Sequence, residues 1–273
     1  MIGIFAQTRE EVATLLENVE ITNRKTIGNM VVYTVTYNGN SFYIIVTGLG
    51  KANATFGLGY ALTKLCVKKV IVTGNTASLV SATAPIGTIA IATNSLEEDV
   101  NFTPLGVGEY VVPPNTVGQY LVDSLLQREA LESSNGLGYV TNTGLFASND
   151  TFVNTTTEAT QINTDTGALF LDNNTAPIGQ ISYQLKIPYI SIKGVSNYAD
   201  DNAVTDFNTN SVSANNLANR VVLEMLNTLF VEEEEICQNN TTTTTNNVFG
   251  CSCNNTNYNN WYFGCNTGYN RFM

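Results

Sequence analysis

The sequence predicts an α/β protein in three layers, a central mixed sheet sandwiched between helices, and three observations carry that prediction. The first is an apolar, β-branched run, Ile187-Pro188-Tyr189-Ile190-Ser191-Ile192-Lys193-Gly194-Val195, with no clean polar alternation. Such a strand belongs inside a sheet covered on both faces. The second is a repeated order of strand, glycine turn, helix and strand in the N-terminal part, which builds a sheet flanked by helices. The third is size: 273 residues, 43% of them hydrophobic, suffice for one large domain with an appendage and exclude wholesale disorder.

Taken in order, residues 2–5 form a first strand, and Val12, Leu15, Leu16 and Val19 then recur at helical spacing behind the acidic pair Glu10-Glu11. Residues 30–36 and 41–47 read as two strands, and the Asn38-Gly39 pair between them is a strong hairpin signal. Gly48-Leu49-Gly50-Lys51 turns the chain into a helix reaching about Leu65. A buried strand (69–73), a tight turn at Gly74-Asn75-Thr76-Ala77 and a strand (87–93) follow. Residues 99–114 loosen into a loop, 117–131 read as an amphipathic helix and 139–146 as a strand. A Thr/Asn-rich passage leads to a strand at 168–171, a helix at 176–185, the central apolar strand, and a long final helix at 213–231.

Composition narrows the function classes. Charged residues make up 13% of the chain and the net charge is −11, which argues against binding a phosphate backbone or an anionic lipid surface. There is no histidine, so the commonest general base and metal ligand is absent and acid–base chemistry falls to carboxylates. The N-terminus has no basic leader and its apolar run is too short for a signal-peptide core. No stretch approaches a membrane span. No cofactor and no metal are expected.

Gly48-Leu49-Gly50-Lys51 lacks the further glycine and the Lys-Ser/Thr pair of a phosphate loop, so it reads as a tight turn with a solvated lysine. On residue type alone Glu10 and Glu11 are a solvated first turn, and Phe152-Val153 is core packing. Ligands in open α/β sheets bind beyond the carboxyl ends of the strands, so the tip Ser196-Asn197-Tyr198-Ala199-Asp200 is where chemistry is expected first.

After Phe230 the composition shifts through Glu232-Glu233-Glu234-Glu235 into an Asn/Thr tract and a Cys-rich end. The expected division is a domain at 1–231 and a tail at 232–273, part linker and part cross-linking or docking segment. Cys66 is a small core residue of the helix that reaches Leu65. Cys237, Cys251, Cys253 and Cys265 are even in number and suggest disulfides or cross-links between chains, since their spacing does not fit a zinc site. Oxidised cysteines favour an extracellular or cell-surface assembly, and reduced ones the cytoplasm.

Several short motifs, in compatible order between Met1 and Phe230, together resemble one family: Gly3-Ile4 with Glu10-Glu11-Val12, Thr47-Gly48-Leu49-Gly50-Lys51-Ala52-Asn53-Ala54, Thr73-Gly74, Asp99-Val100, Asn149-Asp150-Thr151-Phe152-Val153, Ile187-Pro188-Tyr189, and Ser196-Asn197-Tyr198-Ala199-Asp200 with Phe207. The chain resembles the methylthioadenosine/S-adenosylhomocysteine nucleosidases of the nucleoside phosphorylase superfamily. The resemblance implies a dimer, with Glu11 activating the attacking water, Phe152 and Val153 holding the purine and Phe207 closing the pocket. It also implies a proton donor at position 197, a ribose-gripping glutamate at position 174 and a glycine-rich turn at 74–77.

This chain departs at each of those last three places, with Asn197, Asn174 and Gly74-Asn75-Thr76-Ala77. An amide has no acidic hydrogen to deliver, a neutral acceptor grips a hydroxyl less strongly than a carboxylate, and Asn75 is expected to fill the pocket. Related phosphorylases carry an asparagine near the purine N7, which keeps a catalytic reading open. The first expectation is therefore a structural, self-assembling protein on a decayed nucleosidase site, its partner a second copy of itself in an oligomer or filament. The alternative is a purine nucleosidase acting on methylthioadenosine or S-adenosylhomocysteine, and a further alternative is a non-catalytic module that binds an adenine nucleoside.

Overall fold

The computed structural model describes the backbone of residues 1–239 and the side chains of residues 1–230. β1 (Ile2–Ala6) runs parallel to β4 (Asn40–Val46) on one side and to β5 (Lys69–Ser78) on the other. Beyond β4 the sheet continues antiparallel through β3 (Met30–Tyr37) to an edge at β2 (Glu20–Ile27). Beyond β5 it closes on itself. β5 pairs with β10 (Tyr189–Tyr198) and with β9 (Phe170–Asp172), and β8 (Thr141–Ser148) and β6 (Ile89–Glu97) complete the ring back to β10. A short β7 (Tyr120–Leu121) adds to β6.

Side chains on a strand alternate between faces, and both faces here are covered. Ile4, Ile71, Ile190 and Ile192 pack toward α1 (Ala13–Asn18), α3 (Ser124–Gly136) and α6 (Ala203–Asn239), meeting Leu15, Leu126, Val222 and Leu226. Phe5, Val70 and Val72 face the other way, onto Ala54 and Leu58 of α2 (Lys51–Lys64) and Ile178 of α5 (Thr175–Leu185). α4 (Thr156–Thr166) covers the closed end through Ala159 and Ile162, against Leu96 and Leu171. Gly194 lets α6 approach the sheet: a Cβ there would lie 2.1 Å from the carbonyl oxygen of Ala214. This is the expected three-layer mixed-sheet architecture.

The Asn38-Gly39 pair forms the two-residue hairpin, with φ of 48° and 81° and Tyr37 facing Asn40. Several expectations need correction. Gly74-Asn75-Thr76-Ala77 is not a turn but continues β5, with Gly74 at φ 129°. The helix expected over 117–131 begins only at Ser124, capped by Asp123, because residues 120–121 pair with β6. The final helix starts at Ala203, ten residues before the expected start at 213. β2 was unforeseen, since nearly every residue is exposed and no apolar alternation marks it. Cys66 lies just past α2, half-buried at φ 54°, rather than in the core of the helix. No helix among the described residues is long and apolar enough to cross a membrane.

Candidate active site

The parallel strands β1, β4, β5 and β10 end on one side of the sheet, and a cavity of about 910 Å³ opens there. Gln7, Thr8 and Glu11 reach it from the segment after β1, Leu49 and Gly50 from the turn after β4, and Asn75, Thr76 and Ala77 from β5. Thr151, Phe152 and Val153 follow β8, Asp172 and Asn173 end β9, Asn197 comes from β10, and Phe207 and Asn215 from α6. Of the ligand-site residues expected from sequence, Glu11, Asn75, Phe152, Val153, Asn197 and Phe207 line this cavity and Asn174 does not.

Glu11 is not a solvated first-turn residue. It is 5% exposed, and its Oε2 accepts the backbone N–H of Gln7 at 2.6 Å and of Thr8 at 3.4 Å. Burial pushes its carboxyl above the ordinary 4.5, against the pull of Lys193 and of the two N–H groups. Gly74 makes room for it. A Cβ at Gly74 would stand 2.8 Å from Glu11 Cδ, so the glycine is required both by its positive φ and by the carboxylate beside it.

Lys193, in the middle of the apolar central strand, is fully buried and lies 2.8 Å from Asp172 Oδ2, while donating to Asn174 Oδ1 at 2.6 Å. Burial alone would raise the Asp172 carboxyl, but Lys193 and the hydroxyls of Ser148 and Thr175 outweigh it and hold it below the ordinary carboxylate value. Asn174, expected to grip a ribose, is 1% exposed and spends its carbonyl oxygen on Lys193. The carboxylate that reaches the cavity from this segment is Asp172.

Asn197 sits just past an irregularity in the β10–β5 pairing between Val195 and Asn197, a device that re-aims a side chain. Its Oδ1 accepts from Ser196 Oγ at 2.7 Å and its Nδ2 donates to the Tyr198 carbonyl at 3.0 Å. One amide hydrogen remains. Asn75 does not fill the pocket, as its side chain turns to donate to Asn215 Oδ1 on α6 at 3.0 Å and the cavity stays open beside it.

Phe152 and Phe207 meet edge to face at 5.8 Å and 85°, with Phe152 half-exposed at 52% and Val153 buried beneath. The half-exposed ring is a wall, not core. Lys51 is likewise not a solvated lysine: its Nζ lies 3.1 Å from Glu97 and also pairs with Asp99, while its backbone N–H donates to Asp150. Burial first, then Asp99 and Asp172, push the Glu97 carboxyl up to about 7 against the counter-pull of Lys51.

Among the described residues no cluster of His, Cys, Asp or Glu is placed to hold a metal. The cross-link expectation at Cys251, Cys253 and Cys265 lies outside the described residues, as does the Cys237 side chain. Sequence reasoning placed the ribose grip in the segment 172–174 but gave it to Asn174 and not Asp172, and it missed Gln7 and Asn215, which line the cavity, and Lys193, buried against Asp172. Only Lys193 carried a visible signal, a single charge inside an otherwise apolar strand.

A three-layer α/β fold with its cavity at the strand ends, walled by two phenylalanines around a buried glutamate, defines a class of small-ligand protein in which the ligand sits over the sheet. The family model described as the phosphorylase superfamily matches residues 1–227, and the chain belongs to that superfamily. Relatives include a 5′-methylthioadenosine/S-adenosylhomocysteine nucleosidase of Buchnera aphidicola, 27% identical over 228 residues covering 82% of this chain and 95% of the relative. The nucleosidase of Bacillus licheniformis is 26% identical over 227 residues, 82% and 97% of the two chains. The fold matches the nucleosidase of Neisseria meningitidis in complex with methylthio-immucillin-A at a TM-score of 0.80, with 23% identity over 83% of this chain and 98% of that one. Futalosine hydrolase of Helicobacter pylori matches at 0.79, with 20% identity over 83% and 97%.

These findings overturn the first expectation of a structural, self-assembling protein. The relatives that this chain matches over 95% and 97% of their length are nucleosidases, and the pocket that Asn75 was expected to fill is open.

Proposed function

We propose that the chain is a purine nucleosidase that hydrolyses the N-glycosidic bond of methylthioadenosine or S-adenosylhomocysteine. The observation that carries this reading is Glu11, a buried carboxylate at the edge of the cavity with its pKa raised by burial. A raised carboxylate is a better general base than a solvated one.

In this reading the purine lies against the edge-to-face pair Phe152–Phe207. Glu11 takes a proton from water as the oxygen adds to C1′. The C1′–N9 bond breaks with its electron pair passing to the purine. The remaining amide hydrogen of Asn197 bonds purine N7 and stabilises the charge that develops there, and the leaving base takes its proton from solvent. Losing a positioned acid typically costs about 10²- to 10⁴-fold. The rate is lowered, not abolished.

The test is to incubate the protein with methylthioadenosine and separate the products: free adenine and methylthioribose support the reading. Recovery of intact nucleoside, bound or unbound, overturns it.

A further inference from the structure

Resting on the nucleosidase reading, we propose that Gln7 is a positioning residue that orients the attacking water. Gln7 lines the cavity and is 5% exposed, yet its carbonyl oxygen Oε1 is buried with no hydrogen-bond partner among the described residues. A buried, unsatisfied carboxamide is costly and in native structures points to a bound partner. Its backbone is not loose. The Gln7 N–H donates to Glu11 Oε2 at 2.6 Å, and its C=O accepts from the Gly48 N–H at 2.9 Å.

The residue that holds Glu11 by its main chain therefore carries, on the same Cα, a second acceptor that no group among the described residues uses. Two acceptors suit a water with two hydrogens. Glu11 receives the one that is transferred, and Gln7 Oε1 receives a hydrogen bond from the one that stays, which turns an oxygen lone pair toward C1′. The terminal torsion of a glutamine is broad and no hydrogen bond among the described residues holds this carboxamide, so in the proposed step it turns about that torsion to bring Oε1 to the cavity. No bond to Gln7 forms or breaks in the step.

Steady-state turnover of methylthioadenosine by Gln7→Leu and Gln7→Met in water–methanol mixtures tests the proposal. Methanol brings a single hydroxyl hydrogen, which goes to Glu11, so methanolysis does not use Gln7. The expected result is a kcat for hydrolysis lowered about tenfold or more, KM within about twofold, and a larger share of methyl glycoside among the products. Melting temperatures equal to or above wild type are expected too, because an unsatisfied amide has been removed. Unchanged kcat, a raised KM at unchanged kcat, or an equal fall in hydrolysis and methanolysis would overturn it. A wild-type protein that releases no adenine sinks the nucleosidase reading and this assignment with it. Active wild type with unaffected variants sinks the assignment alone.

Discussion

Lys193 Nζ stands 2.8 Å from Asp172 Oδ2 with both side chains withdrawn from solvent. An isolated charge at that depth is far more costly than the pair. Lys193→Met is therefore expected to lower stability by about 3–5 kcal/mol, read from urea unfolding, and a second change, Asp172→Asn, to restore part of it. A cost for the single variant no larger than that of a surface lysine would show that the pair does not hold this part of the sheet.

In the proposed reaction Lys193 bears on Glu11 as well, because it pulls the Glu11 carboxyl down while burial pushes it up. The base must be ionised to act, so the acid limb of kcat/KM should fall above pH 4.5, the ordinary glutamate value. In Lys193→Met it should move higher still. A limb at or below the ordinary value would remove Glu11 as the base.

Asn197→Asp should accelerate the reaction. The carboxyl would occupy the position now held by an amide between Ser196 Oγ and the cavity, and would bring a proton for the leaving purine. The expected gain in kcat is on the order of 10² or more. If adenine release were unchanged, the proton supply would not limit the reaction.

Gly74→Ala should injure the site more than the fold. Its Cβ would stand 2.8 Å from Glu11 Cδ at a backbone φ of 129°. A strained backbone costs about 1–3 kcal/mol, and a base moved by an ångström costs about 10² in rate. Thermal melts alongside kcat measure both. Activity equal to wild type would mean that Glu11 is not held where its carboxylate now lies.

Glu97 makes stability depend on pH. Its carboxyl is raised to about 7, chiefly by burial. A raised group stabilises the folded state below its unfolded value and loses that contribution as pH climbs through its folded value. Between pH 4.5 and 7 the wild type should thus lose on the order of 1–3 kcal/mol relative to Glu97→Gln. Parallel unfolding curves across that window would contradict this.

The three-layer fold was legible because it is written in apolar periodicity and in turn residues such as Asn38-Gly39. β2 was not, because an exposed edge strand needs no apolar face. α4 was overlooked although Thr155 and Glu158 form half of a helix-capping pattern, with the Glu158 N–H donating to the Thr155 hydroxyl at 3.3 Å and Gly167 closing the helix at φ 71°. In a Thr/Asn-rich passage that signal is diluted. At the site, it was the family resemblance, not residue type alone, that grouped Glu11, Phe152, Val153, Asn197 and Phe207 across some two hundred positions, and all five line the cavity. What the letters did not show is direction: Asn75 turning to Asn215, Asn174 spent on Lys193, and Gln7 left with a buried side-chain oxygen that nothing among the described residues pairs. Side-chain direction depends on bulges and partners that a linear string does not display.

The most direct measurement is multiple-turnover release of adenine from methylthioadenosine by the wild-type protein and by Glu11→Gln. Many equivalents of adenine per protein from the former, and a rate near background from the latter, are expected. Substrate left whole by the wild type, or base released equally by both, would contradict a hydrolytic site built on this glutamate.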